Sequence, residues 1–168
     1  FIGSSSKGRQ VAVAMSEEPA CAHLAFFTAH VIVDNIVVAD DDMVARDLLA
    51  EALKKEGYAV EAFASGEEVI ARGRQGRVDL VLTDIRMGAV DGLTVLREFK
   101  RMSPDTAVVM LTSFGSLEGA IEAIKQGAYD YLAKPFKKDD IKLVVKRSLD
   151  HCRLIKENAR FREELKHK

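Results

Sequence analysis

From Ile36 onward, five short apolar runs alternate with five stretches of helical periodicity, and this alternation leaves few folds open. The runs are Ile36 to Ala39, Tyr58 to Phe63, Val78 to Thr83, Ala107 to Leu111 and Tyr129 to Ala133. Short apolar runs rich in β-branched residues read as strands. In the first intervening stretch Ala45, Leu48, Leu49 and Ala52 fall at i, i+3, i+4 and i+7, one apolar helical stripe. Gly57 ends it as a C-cap does. Ser65-Gly66-Glu67-Glu68 has capping-box spacing and opens a second helix, which Gly73 and Gly76 terminate. Leu93 to Met102 is a third. Ser116 caps a fourth, with Leu117, Ala120, Ile121 and Ile124 on one face and Gly127 as its stop. Asp139 and Asp140 open a fifth, where acids suit the helix dipole. Strands alternating with helices predict an α/β fold: a doubly wound five-stranded parallel sheet with right-handed crossovers.

Three segments follow from this pattern: an N-terminal extension over 1–35, a globular unit over 36–150 and a helical linker over 151–168. The extension has a linker-like Gly3 to Gly8 stretch, strand character at Val11 to Met15 and His30 to Val33, and a break at Glu17-Glu18-Pro19. It reads as the tail of a preceding domain, an accessory strand or an added extension, and no site is assigned to it. The chain begins at Phe1, so it is read as a fragment or a processed form. No Gly or Pro follows Pro135, so the fifth helix is expected to run from Lys137 to Lys168, about 48 Å. Leu154, Phe161 and Leu165 recur there at near-heptad intervals with Asn158 among them, resembling a short coiled coil or a signalling linker. A frayed tail is the other reading.

The net charge of −1 excludes a global attraction to nucleic acid or an anionic membrane. Twelve Lys/Arg against six acids between Lys134 and Lys168 read as a solvated helix face. Cys21 and Cys152 lack metal-ligand spacing and make no disulfide framework, which fits a reducing, cytoplasmic compartment. The apolar window Ala25 to Val33 is too short to span a bilayer, and no signal peptide precedes it.

Polar groups collect at four strand ends: Asp40-Asp41 after the first, Asp84 after the third, Thr112 after the fourth and Lys134 after the fifth. In a parallel sheet these ends share one edge. Three carboxylates gathered there repel one another unless a cation joins them. Hard oxygen ligands suit Mg²⁺, which takes one or two carboxylates plus waters and phosphate oxygens. With Lys134 as a positive charge and Thr112 as a hydroxyl donor, the set composes a phosphoryl-transfer site, with Asp84 as the acceptor.

These residues resemble the receiver domains of two-component response regulators over Ile36 to about Asp150. The resemblance is carried by Ile36 to Asp42 with Arg46, by Leu82-Thr83-Asp84-Ile85-Arg86-Met87 through Asp91-Gly92, by Met110 to Ser113, and by Tyr131 to Phe136. Gly115 to Phe136 is especially similar to receivers of enhancer-binding transcriptional activators. The resemblance implies a flavodoxin-like sheet of strand order 2-1-3-4-5. It implies that a sensor histidine kinase phosphorylates Asp84. It also implies that Asp40, Asp41, Asp84 and the backbone carbonyl of Arg86 hold Mg²⁺. Lys134 then pairs with the phosphoryl group, Thr112 turns inward to bind it, and the Tyr131 ring enters the vacated space. The implied readout surface is the fourth helix, fifth strand and fifth helix. A homodimer through that face or through the C-terminal helix goes with it, as does a downstream output domain that regulates transcription.

Gly88 stands where the family usually has proline. Proline stiffens a loop, so Gly88→Pro is expected to raise thermal stability. A haloacid-dehalogenase-type hydrolase needs a second acid two residues after its nucleophile, where this chain has Arg86. A flavin or nucleotide module wants a Gly/Ser/Thr-rich loop where this chain has Asp40-Asp41-Asp42. A degenerate receiver serving as a docking or dimerisation module is the alternative that keeps the fold. After Asp150 there is no helix-turn-helix signature and no GxxxxGK[ST] loop, so no direct nucleic-acid contact is expected of this stretch.

Overall fold

The computed structural model describes residues 10–13, 27–30, 33–113 and 117–168. They belong to two separate units. In the first, β1 (Gln10–Val13) pairs antiparallel with β2 (Phe27–His30), Gln10 opposite His30. The strand character expected at Val11 to Met15 meets β1 as far as Val13, and that expected at His30 to Val33 meets β2 only at His30. Met15, Glu17, Glu18, Pro19, Cys21 and Ser116 lie outside the described residues.

The second unit strictly alternates: β3 (Asn35–Ala39), α1 (Met43–Lys55), β4 (Ala59–Phe63), α2 (Gly66–Gln75), β5 (Leu80–Asp84), α3 (Gly92–Met102), β6 (Ala107–Thr112), α4 (Leu117–Lys125), β7 (Asp130–Ala133) and α5 (Lys138–Lys166). All five strands are parallel, in the order β4-β3-β5-β6-β7, which is 2-1-3-4-5 within this unit. The direction of winding reverses between β3 and β5, so a crevice opens at the carboxyl ends of those two strands.

Side-chain parity explains the two-layered core. Successive strand residues point to opposite faces. Val37, Ala39, Val81, Val108 and Met110 face α2, α3 and α4. Ile36, Val38, Leu80, Leu82, Val109 and Leu111 face α1 and α5. Each fully buried Leu or Ile is worth about 2 kcal/mol relative to exposure. The central strands β3, β5 and β6 are buried along nearly their whole length, whereas the edge strands β4 and β7 are largely exposed or half-buried.

Three helix expectations shift. In α1 the core-facing residues are Leu49, Ala50, Ala52 and Leu53, while Leu48 is exposed. Asp42 is the α1 N-cap and accepts from the Val44 amide. In α4 only Ala120 and Ala123 are buried; Leu117, Ile121 and Ile124 are exposed. Gly73 does not end α2, which continues to Gln75. It sits inside the helix because a Cβ there would lie 2.7 Å from the Phe99 ring. Half of the capping box forms: Ser65 Oγ accepts from the Glu68 amide, while the Glu68 carboxylate accepts from the Ser65 hydroxyl rather than from the Ser65 amide.

At the amino edge of the sheet Asp79 ties four elements together. Its backbone amide donates to Asn35 and its carbonyl accepts from Ala107. Its buried carboxylate accepts from the Asn35 amide at 2.8 Å and from Arg77 at 2.9 and 3.0 Å, and lies 3.5 Å from Lys156 Nζ on α5. Burial pushes its carboxyl up, but these donors together outweigh it and hold its pKa below the ordinary 3.8. Arg153 on α5 pairs with Asp34 beside it.

Asp79→Ala leaves the Asn35 amide and the Arg77 guanidinium without their acceptor and is expected to cost about 2–4 kcal/mol at neutral pH. A carboxyl whose folded pKa is depressed adds stability above its unfolded value and loses it as pH falls through the folded one. Urea unfolding should therefore show a deficit that is full at neutral pH and shrinks below the unfolded value of 3.8. A deficit independent of pH would contradict this account.

Candidate functional site

The carboxyl edge of the sheet gathers the strand-end groups. Asp40 follows β3 and is fully buried. Its amide donates to Phe63 on β4, its Oδ1 accepts from the Asp42 amide at 2.9 Å, and its carbonyl accepts from Arg46 Nη1 at 2.8 Å. Arg46 thus clamps the turn that aims Asp40 and Asp41. Asp84 ends β5, its side chain 13% exposed; its Oδ1 accepts from the Arg86 amide at 3.1 Å. Carboxylate oxygens of Asp40, Asp41 and Asp84 all lie within 4.8 Å of one another.

Lys134 enters from the edge strand. Its amide donates to the Thr112 carbonyl at 2.7 Å, extending the β6–β7 ladder by one bond, and the Lys134–Pro135 peptide is cis. Its Nζ stands 2.7 Å from Asp84 Oδ2 and 2.7 Å from Asp40 Oδ2. The bond to Asp84 is well aligned. The Asp40 contact is close but poorly directed, so Asp40 Oδ2 is a buried oxygen with no hydrogen-bond donor. Burial is the largest influence on Asp40 and pushes its carboxyl up, against the pull of Lys134 and the Asp42 amide. Burial opposes the Lys134 ammonium too, but the two carboxylates outweigh it and raise its pKa above the ordinary Lys value.

Three carboxylates therefore face one ammonium, and one buried oxygen is short of a donor. Such an all-oxygen set fits a small hard divalent cation. An open cleft of about 530 Å³, lined by Asp41, Arg86, Gly88, Asp91 and Gly119, adjoins it. Thr112 ends β6, buried, one residue past the Asp84–Leu111 register pair. Tyr131 lies outside the cluster, on β7 opposite Met110 and exposed.

Two local devices fix Asp84. The Thr83 hydroxyl donates to the Asp84 carbonyl, and a Cβ on Gly92 would come within 2.2 Å of that same carbonyl oxygen. Only glycine lets α3 start so close beneath β5, while Asp91 caps α3 through the Thr94 amide. Asp91-Gly92 is visible as a dipeptide in the sequence, but the packing that demands it is not. The expectation for Gly88 is overturned. Its φ is +25°, outside the range near −65° that proline permits. Proline there requires a different loop rather than a stiffer version of this one.

The family profile described as response regulator receiver domain matches residues 36–146. The transcriptional regulatory protein ZraR of Salmonella typhimurium is 39% identical over 119 residues, 71% of this chain and 27% of ZraR. The DNA-binding transcriptional regulator NtrC of the same organism is 39% identical over 114 residues, 68% of this chain and 24% of NtrC. Among solved structures, the receiver domain of NtrX from Brucella abortus is 38% identical with a TM-score of 0.66, covering 68% of this chain and 98% of that one. The chain spans about a quarter of the length of the curated relatives it matches.

Two substitutions test this geometry. Gly88→Pro is expected to lower the melting temperature, with a loss above about 1 kcal/mol, because it forbids the observed φ; a rise would contradict the loop conformation. Asp40→Asn, without divalent cations, is expected to stabilise the protein by about 1–2 kcal/mol by relieving the excess negative charge. A carboxyl whose folded pKa is raised holds its proton longer in the native state. Stability then falls as pH rises from the unfolded 3.8 to the raised folded value. Chemical denaturation across that range should show a shallower fall for Asp40→Asn than for the parent.

Proposed function

The chain belongs to the response regulator receiver domain family, and on that premise we propose that it is a phosphoacceptor switch acting through Asp84. The observation that carries the reading is the Lys134 ammonium placed 2.7 Å from both Asp84 and Asp40, with Asp41 completing the acidic set. Asp84 Oδ1 accepts from the Arg86 amide and Oδ2 from Lys134 Nζ, so both oxygens of the carboxylate are held rather than left to rotate.

In this reading a sensor histidine kinase donates the phosphoryl group. An Asp84 oxygen forms the new O–P bond as the P–N bond of the phosphohistidine breaks and the imidazole leaves. Positioning and charge neutralisation do most of the work in such transfers. Asp40, Asp41, Asp84 and the Arg86 carbonyl are the residues to hold Mg²⁺. Bound Mg²⁺ supplies the positive charge that lets an anionic donor approach the acidic set. Lys134 exchanges its carboxylate partners for phosphoryl oxygens, and Thr112 donates its hydroxyl to them. Tyr131, outside the cluster and half-exposed, is the ring that changes place when Thr112 moves inward. This is a shift between two packed states rather than a gradual deformation.

The response is read on α4, β7 and α5, where Leu117, Ile121, Ile124 and Tyr131 are exposed together. The reading includes an output domain outside this chain, control of transcription as in the transcriptional regulators ZraR and NtrC, a cytoplasmic setting, and a homodimer through that face or through α5. Beyond its self-catalysed phosphoryl transfer and slow autodephosphorylation the chain is no enzyme. No helix among the described residues is long and apolar enough to cross a membrane.

Acetyl phosphate with Mg²⁺ is expected to add one phosphoryl group per chain, read by intact mass. Asp84→Ala and excess EDTA should each abolish uptake, and Lys134→Ala should lower its rate by at least about tenfold. A folded parent chain that takes up no phosphoryl group under these conditions would instead support the docking-module alternative.

A further inference from the structure

Of the three acids at the carboxyl edge, two are aimed by contacts of their own and one is not. Asp84 accepts from the Arg86 amide and Lys134 Nζ, and Asp40 accepts from the Asp42 amide. The Asp41 side chain is exposed and makes no hydrogen bond or ion pair among the described residues, yet its oxygen lies within 4.8 Å of the other two. Its direction is therefore set by its backbone. A peptide unit is planar, so the bearing of a side chain follows from the two planes that meet at its Cα. Both planes at Asp41 are pinned. The one after it is held by the Asp42 amide, which donates to Asp40 Oδ1 at 2.9 Å. The one before it is held by the Asp40 carbonyl, which accepts from Arg46 Nη1 at 2.8 Å. The Arg46 amide also donates to the Asp42 carbonyl at 3.0 Å, so one half-buried residue of α1 grips the turn on both sides of Asp41.

We infer that Arg46 is a positioning residue: by pinning the peptide plane before Asp41 it aims the Asp41 carboxylate and so sets the affinity of the acidic set for a divalent cation. This rests on the reading of Asp40, Asp41 and Asp84 as residues that hold Mg²⁺, and adds to it a residue that touches neither the cation nor the phosphoryl group. The charge of the guanidinium works the other way, because a positive group beside a cation site repels the cation. An arginine that served to offset the acids would lie against a carboxylate, as Lys134 does. Arg46 instead gives its side-chain hydrogen bond to a main-chain oxygen and pairs with no carboxylate among the described residues. Positioning and charge therefore predict opposite signs when the guanidinium is removed. Loosening the plane before Asp41 weakens cation binding, whereas deleting a positive charge alone strengthens it.

Mn²⁺ shares the preference of Mg²⁺ for oxygen ligands, and its free ion is counted by electron paramagnetic resonance. Titration of the full chain is expected to give Arg46→Met a Mn²⁺ dissociation constant about tenfold above the parent's, the low end for loss of an outer-shell partner. Arg46→Gln is the second variant, and either one counts once its far-UV circular dichroism matches the parent's. On an Asp41→Ala background, where there is no carboxylate left to aim, Arg46→Met should change the constant by less than about twofold. With acetyl phosphate as donor, the loss in Arg46→Met should sit in the Mg²⁺ concentration that gives half the full rate, and not in the rate at saturation. Binding that is unchanged or tighter in the Arg46 variants overturns the inference. So does an equal loss on the Asp41→Ala background, which marks a general slackening of the turn, and so does a lower rate at saturating Mg²⁺. A parent that binds Mn²⁺ with this dependence on Arg46 but takes up no phosphoryl group counts against the Asp84 reading and leaves the role of Arg46 standing.

Discussion

One ammonium divided between two carboxylates is the contact on which the rest of this molecule turns. Lys134 comes from the edge strand β7, Asp40 from β3 and Asp84 from β5, so one side chain ties together strands that are not all neighbours. Coulombic attraction at 2.7 Å holds the set, while burial of Asp40 and the proximity of a third acid work against it. Those opposing effects make the site stable enough to preorganise and strained enough to favour a further cation. The fold serves this balance. A parallel sheet puts every carboxyl end on one edge, and the reversal between β3 and β5 opens space beside Asp84.

The two edges of the sheet divide the labour. At the amino edge Asp79 is over-supplied with donors, sits below the ordinary carboxylate range and binds β3, β5, β6 and α5. At the carboxyl edge Asp40 is under-supplied and pushed up. Both are buried acids at strand ends. Counting donors around each separates a carboxylate satisfied within the fold from one that is not.

Much of this was legible from residue order alone. Strand parity and strand-end polarity located β3 to β7, the parallel topology, and the cluster of Asp40, Asp41, Asp84 and Lys134, because those signals are local and periodic. What failed had tertiary causes. Leu48 fits the helical period of α1 but lies at the edge of its stripe, and packing against the sheet buries Leu49, Ala52 and Leu53 instead. Gly73 looks like a helix stop until Phe99 is seen packed against it. Gly88 looks like a lost proline, yet its positive φ is a conformation that proline lacks. Asp79 lay unremarked inside an apolar run, because two of its partners, Asn35 and Lys156, come from 44 and 77 positions away in the chain. Arg46 stood in a recognised place, but only the folded turn gives it a task.

The sparse anchoring of α4 has a consequence for motion. Its contribution to the core is two methyl groups, Ala120 and Ala123, where α1 contributes Leu49 and Leu53 and α5 contributes Ile141, Val144, Val145 and Leu149. Displacing α4 from the sheet therefore forfeits far less buried area than displacing either of those helices, and local opening free energies scale with that area. Its larger residues are already about half exposed, so they oppose such movement only in part. The helix that borders the acidic cleft through Gly119 is thus the one the domain holds most loosely. A rearrangement begun at the strand ends meets its least resistance there.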